Sequence, residues 1–189
     1  MADEAKEERI GWRKQPRRQP QQLVVAGQSA DLPRKLLAFF AEKPVPRDLS
    51  GEETIARIKD QGGIVSVPHP FSRNRIYHLR RDALDRLWEQ IDCIEIFNAR
   101  EAFSADNRRA EAFAKERSIP GAVGSDAHRT SEIGRAYIEV DEFAGRDDFV
   151  EALRGGVVNG RLTGSAIHLA TRYDVFRKWL VRRRTKKGA

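Results

Sequence analysis

The sequence predicts an α/β domain built on a parallel sheet. Three observations carry that expectation. Short apolar runs alternate with stretches of helical period, the runs are bounded by Gly or Pro, and the later runs end in polar, chemistry-bearing residues. Parallel strands that end this way place a site at their C-terminal ends, the arrangement of a barrel or barrel fragment. With 189 residues and 40% hydrophobic content, the chain suits one domain.

The elements follow in order. Residues 1–34 are rich in Gln, Arg, Pro and Glu and hold one apolar stretch, Leu23-Val24-Val25-Ala26, so they are expected to be mostly disordered with one short strand. Leu36–Phe40 reads as a buried strand, and Pro44-Val45-Pro46 then forces an extended connection. Ser50 and Glu53 form a capping box for a helix that carries Ile55 and Ile58 and ends at Gly62-Gly63. Ile64–Val67 is a β-branched strand. Residues 81–90 form a helix with Leu84, Leu87 and Trp88 on one face, and Cys93–Phe97 is the next strand. A helix over 105–117 turns Ala110, Phe113 and Ala114 inward, and Ala122–Gly124 is a further strand. Tyr137–Val140 is a strand, and a helix opens at Asp147-Asp148 and closes at Gly155-Gly156. All four strands from Leu36 to Gly124 are expected to pair in parallel through helical crossovers.

Composition excludes several classes. No apolar run approaches the roughly 20 residues of a membrane span, and the opening MADEAKEER lacks the apolar core of a secretory signal, which reads as cytoplasmic. The lone Cys93 lies inside an apolar strand and reads as a buried thiol. The net charge of +7 is concentrated at the two ends, including the basic tail over 171–189. Such ends suit solvated tails better than nucleic-acid binding, because no aromatic-interleaved motif accompanies them.

The chemistry gathers at strand ends. In Gly124-Ser125-Asp126-Ala127-His128, residues two apart on an extended segment share a face, so carboxylate and imidazole converge on one ion; alternatively Asp126 caps a turn and His128 is a surface histidine. His69, stiffened by Pro68 and Pro70, follows the Ile64–Val67 strand. Arg100 offers a planar fork for a phosphate, slightly favoured over a salt bridge with Glu101 or Asp106. Glu95 needs a partner if it is buried on its strand, and Glu132 either orients a ligand histidine or its loop, or begins a helix. His78 sits among Arg75, Tyr77, Arg80 and Arg81 and reads as solvent-facing.

Together the segments Pro68-His69-Pro70-Phe71, Glu95-Ile96-Phe97-Asn98-Ala99-Arg100, Gly124-Ser125-Asp126-Ala127-His128 and Glu132-Ile133-Gly134 resemble, in order and spacing, the later half of the polymerase-and-histidinol-phosphatase (PHP) superfamily. The resemblance covers about residues 36–170, with 35–170 as the barrel portion. It implies a partial, distorted (β/α) TIM-like barrel with its N-terminal strands missing and divalent ions of manganese, zinc or iron. His69, Asp126 and His128 match family metal ligands. Asn98, Arg100 and His168 fall where substrate contacts are expected, and Glu95 and Glu132 behind the ligands. No catalytic residue is singled out. The implied reaction is hydrolysis of a small phosphorylated substrate, a phosphomonoester or small phosphodiester.

The family's front half carries H-x-H, T-D-H and a bridging glutamate, whereas the first histidine here is His69. A chain of these residues is therefore expected to be inactive alone, to need a separately encoded front half, or to self-associate through an open barrel edge. A mis-placed gene start, a non-catalytic remnant and a basic nucleic-acid-associated protein are the rival expectations.

Overall fold

The computed structural model describes residues 24–26, 36–46, 48–73 and 79–164. Five strands form one sheet in chain order: β1 Val24–Ala26, β2 Leu36–Phe39, β3 Ile64–Val67, β4 Cys93–Asn98 and β5 Gly121–Gly124. Among the described residues four helices, α1 Gly51–Lys59, α2 Arg81–Leu87, α3 Ser104–Glu116 and α4 Arg146–Gly155, join or follow them, and α2 runs on into a 3-10 turn at Trp88–Gln90. Strands β6 Ala136–Glu139 and β7 Val157–Gly160 make a separate antiparallel ribbon.

The β3, β4 and β5 strands are parallel, as their alternation with helices predicts. Strand β2 is not: it pairs antiparallel with β3, Phe39 opposite Ile64, and β1 pairs antiparallel with β2. This corrects the expectation of four parallel strands. The segment 40–63 leaves β2 and enters β3 at the same end of the sheet, so α1 serves as an excursion rather than a crossover. A TIM-like barrel is not seen among the described residues.

Helix α1 is fixed at both ends. The Ser50 hydroxyl accepts the Glu53 N–H at 3.1 Å while the Glu53 carboxylate accepts the Ser50 N–H at 2.9 Å, so two otherwise orphaned donors are satisfied. At the other end Gly62 takes φ 71°, a conformation open to glycine, and Gly63 N–H returns to the Ile58 carbonyl at 2.9 Å.

Strand alternation divides the core in two. One face sends Val65, Val67 and Ile94 against Ile55 and Ile58 of α1, Leu84 and Leu87 of α2 and Phe113 of α3. Burying each of Leu84 and Leu87 is worth about 1.5–3 kcal/mol. The other face sends Ile64 and Cys93 against Leu153 and Phe149 of α4. Asp92, on the turn before β4, accepts the Val65 N–H at 2.7 Å and the Lys59 ammonium at 2.6 Å, tying α1, β3 and β4 together.

Candidate functional site

The site lies where β3, β4 and β5 end. His69 is two residues beyond β3 and Asp126 two beyond β5, and both backbones are left-handed, with φ 33° and 47°. Asp and His are among the side chains that tolerate this region, at a cost on the order of 1–3 kcal/mol each, and such strain persists only where neighbours hold it. Strand β4 runs between the two. His69 and the Asp126–His128 pair therefore stand at the ends of strands that flank a common neighbour.

Strand β4 supplies the groups that hold these turns. Its register against β5 shifts between Glu95 and Phe97, a bulge that re-aims the end of the strand. The Glu95 carboxylate, buried at 8% exposure, accepts the His69 backbone N–H at 2.6 Å and the Asn98 amide at 3.0 Å. Asn98 is committed on every side. Its Oδ1 accepts the Arg100 N–H at 2.9 Å, and Asn107 of α3 accepts the Asn98 N–H and donates to its carbonyl.

Arg100 points its guanidinium inward, and its Nη1 donates to both oxygens of Glu132 at 2.7 and 3.0 Å. Neither side chain meets solvent appreciably, at 5% and 0% exposure. The salt bridge raised as the alternative for Arg100 exists, but with Glu132, 32 residues along, rather than Glu101 or Asp106. Those two carboxylates face His69's loop: Glu101 accepts the Ser72 hydroxyl at 2.9 Å, and Asp106 accepts from Arg73 Nε at 2.8 Å and its N–H at 3.1 Å. A small cleft beside His69 is lined by Ser72, Glu95, Glu101, Asp106 and Asn107.

Glu132 also accepts the backbone N–H of His128 at 2.6 Å. Burial pushes its carboxyl up, but the His128 N–H and the Arg100 guanidinium outweigh this and hold it below the usual carboxylate range. It stays ionised. Thus each turn bearing a candidate histidine is anchored through its backbone by a buried carboxylate, Glu95 for His69 and Glu132 for His128.

The His128 ring is half exposed, and its Nδ1 lies 2.8 Å from the Asp126 carbonyl and 4.0 Å from Asp126 Oδ1. A carbonyl can only accept, so in the neutral ring Nδ1 carries the hydrogen and Nε2 keeps its lone pair. Two imidazoles and a carboxylate are donors that suit manganese, zinc or iron. By chemistry the set fits a divalent ion; by number it is partial, since no group of three or more His, Cys, Asp or Glu among the described residues is arranged to hold one. His78, His168 and the basic tail lie outside the described residues.

Sequence reasoning passed over Ser72 and Asn107, and named Glu101 and Asp106 only as partners for Arg100. All four act on backbone or on other polar groups across the loop, and nothing in their local spacing marks such long-range partners.

A family model described as PHP-associated matches residues 104–158, from the start of α3 into β7. Over that stretch the chain is similar to a PHP-associated C-terminal region. Two uncharacterized proteins of Methanocaldococcus jannaschii are similar to it. One is 31% identical over 111 residues, 57% of this chain and 47% of that protein; the other is 32% identical over 79 residues, 41% and 43%. The chain thus spans less than half the length of either relative. A solved structure from Bifidobacterium adolescentis, of a protein proposed to be a metal-dependent phosphoesterase, shares 23% identity at a TM-score of 0.41, over 61% of this chain and 39% of its own. Among the described residues, no helix is long and apolar enough to cross a membrane.

Proposed function

We propose that this PHP region is the C-terminal part of a metal-dependent phosphoesterase that hydrolyses a phosphomonoester or small phosphodiester. The observation that carries the reading is the pair of anchored turns at the ends of β3 and β5, with His69 on one and Asp126 and His128 on the other. The bonds from Glu95 and Glu132 fix the backbone of the turns from which these side chains would reach a metal, and the described side chains are not themselves gathered into a three-ligand group.

In this proposal His69, Asp126 and His128 would contribute ligands to a divalent ion of manganese, zinc or iron, which would supply an activated water and stabilise developing negative charge. Glu95 and Glu132 fix the turns, and Arg100 acts through Glu132. Asn98 and Arg100, first considered as substrate contacts, are here assigned to holding the site, because their polar groups are committed to Glu95, Glu132 and Asn107. A small phosphorylated substrate would enter at the strand C-terminal ends.

Three donors do not complete a multinuclear centre, and a front half with H-x-H and T-D-H is the partner that the family resemblance calls for. Hydrolysis of p-nitrophenyl phosphate with manganese or zinc tests this. The 189-residue chain should show little turnover, and a fusion to such a front half should gain it and lose it again on His69→Ala or Asp126→Ala. Turnover in the fusion that survives both substitutions would sink the metal assignment. A folded fusion with no turnover would favour a non-catalytic remnant.

A further inference from the structure

The carboxylate of Glu95 does more than accept the His69 amide. Its other oxygen lies over Gly124, the last residue of β5: a Cβ built on Gly124 would overlap Glu95 Oε1. Gly124 does not have a left-handed backbone, so its need for glycine is a need for space rather than for conformation. The neighbour it makes room for is the tip of a flexible side chain, which can move.

We infer that Gly124 and Glu95 form one positioning device, in which the missing side chain at the end of β5 lets the β4 carboxylate reach and set His69 beyond β3. The device links the two halves of the proposed site across three strands. Adding a methyl group at Gly124 pushes the Glu95 carboxylate away from β5. The 2.6 Å bond to the His69 N–H then lengthens or breaks. His69, at φ 33°, loses a contact that holds it in an uncommon conformation. Gly124 and Glu95 thereby act on His69 through its backbone amide.

This inference rests on the reading of His69 as a ligand only for its consequence in metal binding; the coupling itself concerns the backbone. The experiment therefore has two readouts on the full chain: the His69 amide proton by NMR, and zinc affinity by calorimetry. In the unsubstituted chain the short, charge-assisted bond should place the His69 amide proton far downfield and protect it from exchange. Gly124→Ala and Glu95→Ala should both move it upfield and remove the protection, and both should weaken zinc by about 10–100-fold. Glu95→Gln keeps an oxygen for the His69 N–H and should retain most of both signals. Ser50→Ala, which removes a cap bond made to Glu53 of α1, should change neither, separating positioning from general loss of stability.

A His69 amide unchanged in Gly124→Ala would overturn the device, as would zinc binding weakened by Gly124→Ala but not by Glu95→Ala. Should His69→Ala bind zinc as tightly as the unsubstituted chain, the ligand reading fails, and the amide signal alone decides the coupling. If Glu95→Ala does not fold, Gly124→Ala and Glu95→Gln still give the answer.

Discussion

Removing the guanidinium of Arg100 should be among the costliest single changes in the domain. Arg100 and Glu132 are 5% and 0% exposed and lie 2.7 Å apart, so neither charge has water to fall back on. Breaking a buried pair from one side costs about 3–5 kcal/mol, because the remaining charge is left without its partner. Arg100→Met should fall in that range. Glu132→Leu should cost somewhat more, since the His128 N–H also loses its acceptor, a hydrogen bond worth about 0.5–1.5 kcal/mol or more where a charge is involved. Replacing both at once removes the stranded charge, and the double variant should be far more stable than the sum of the singles implies. Urea unfolding of the four proteins, followed by circular dichroism at pH 7, measures the coupling. Additive losses, or single losses below about 1 kcal/mol, would refute the argument that these two buried charges are energetically coupled.

Three further outcomes are expected. The Glu132 carboxyl is held below its ordinary value of 4.5 in the folded chain, so its contribution is present above pH 4.5 and is lost as pH falls through the lower, folded value; an acid titration of stability should show this loss in the unsubstituted chain and lack it in Glu132→Leu. Ser50→Ala removes the cap of α1 and should lower stability by about 1 kcal/mol in the same urea assay, leaving the unfolding slope unchanged. Burial pushes the Cys93 thiol up to about 12, so at pH 8 iodoacetamide should modify it only under unfolding conditions, and rapid labelling of the native chain would contradict the packing of β4 against α4.

What the sequence disclosed and what it withheld divide along physical lines. The capping box at Ser50 and Glu53 is local, and both of its bonds are present. The alternation that made β3, β4 and β5 parallel is also written in period and length. The direction of β2 is not, because Leu36–Phe40 and the proline-rich turn after it fit either pairing, and only the placement of α1 decides. At the site, the segments bearing His69, Asp126 and His128 stood out as strand-end motifs. The partner of Arg100 did not: the choice among Glu101, Asp106 and Glu132 is made by the path of the chain over 32 residues, which spacing does not encode. For the same reason Asn98 read as a substrate contact, although its hydrogen bonds to Glu95 and Asn107 use it within the fold.

The left-handed backbones at His69 and Asp126 bear on how such a region would decay once its chemistry were no longer under selection. Residue choice there is constrained twice, by what the side chain binds and by what the backbone permits, and only the first constraint would relax. Valine, isoleucine and threonine would remain excluded by their branched Cβ, whereas glycine and asparagine fit the conformation at least as well as the present residues. Drift in a retired copy would therefore run first toward Gly or Asn at these two positions, while the buried Arg100–Glu132 pair, whose loss from one side costs stability, changed more slowly. Sequences in which 69 and 126 have softened in this manner above an intact framework would be recognisable as binding scaffolds that no longer perform chemistry.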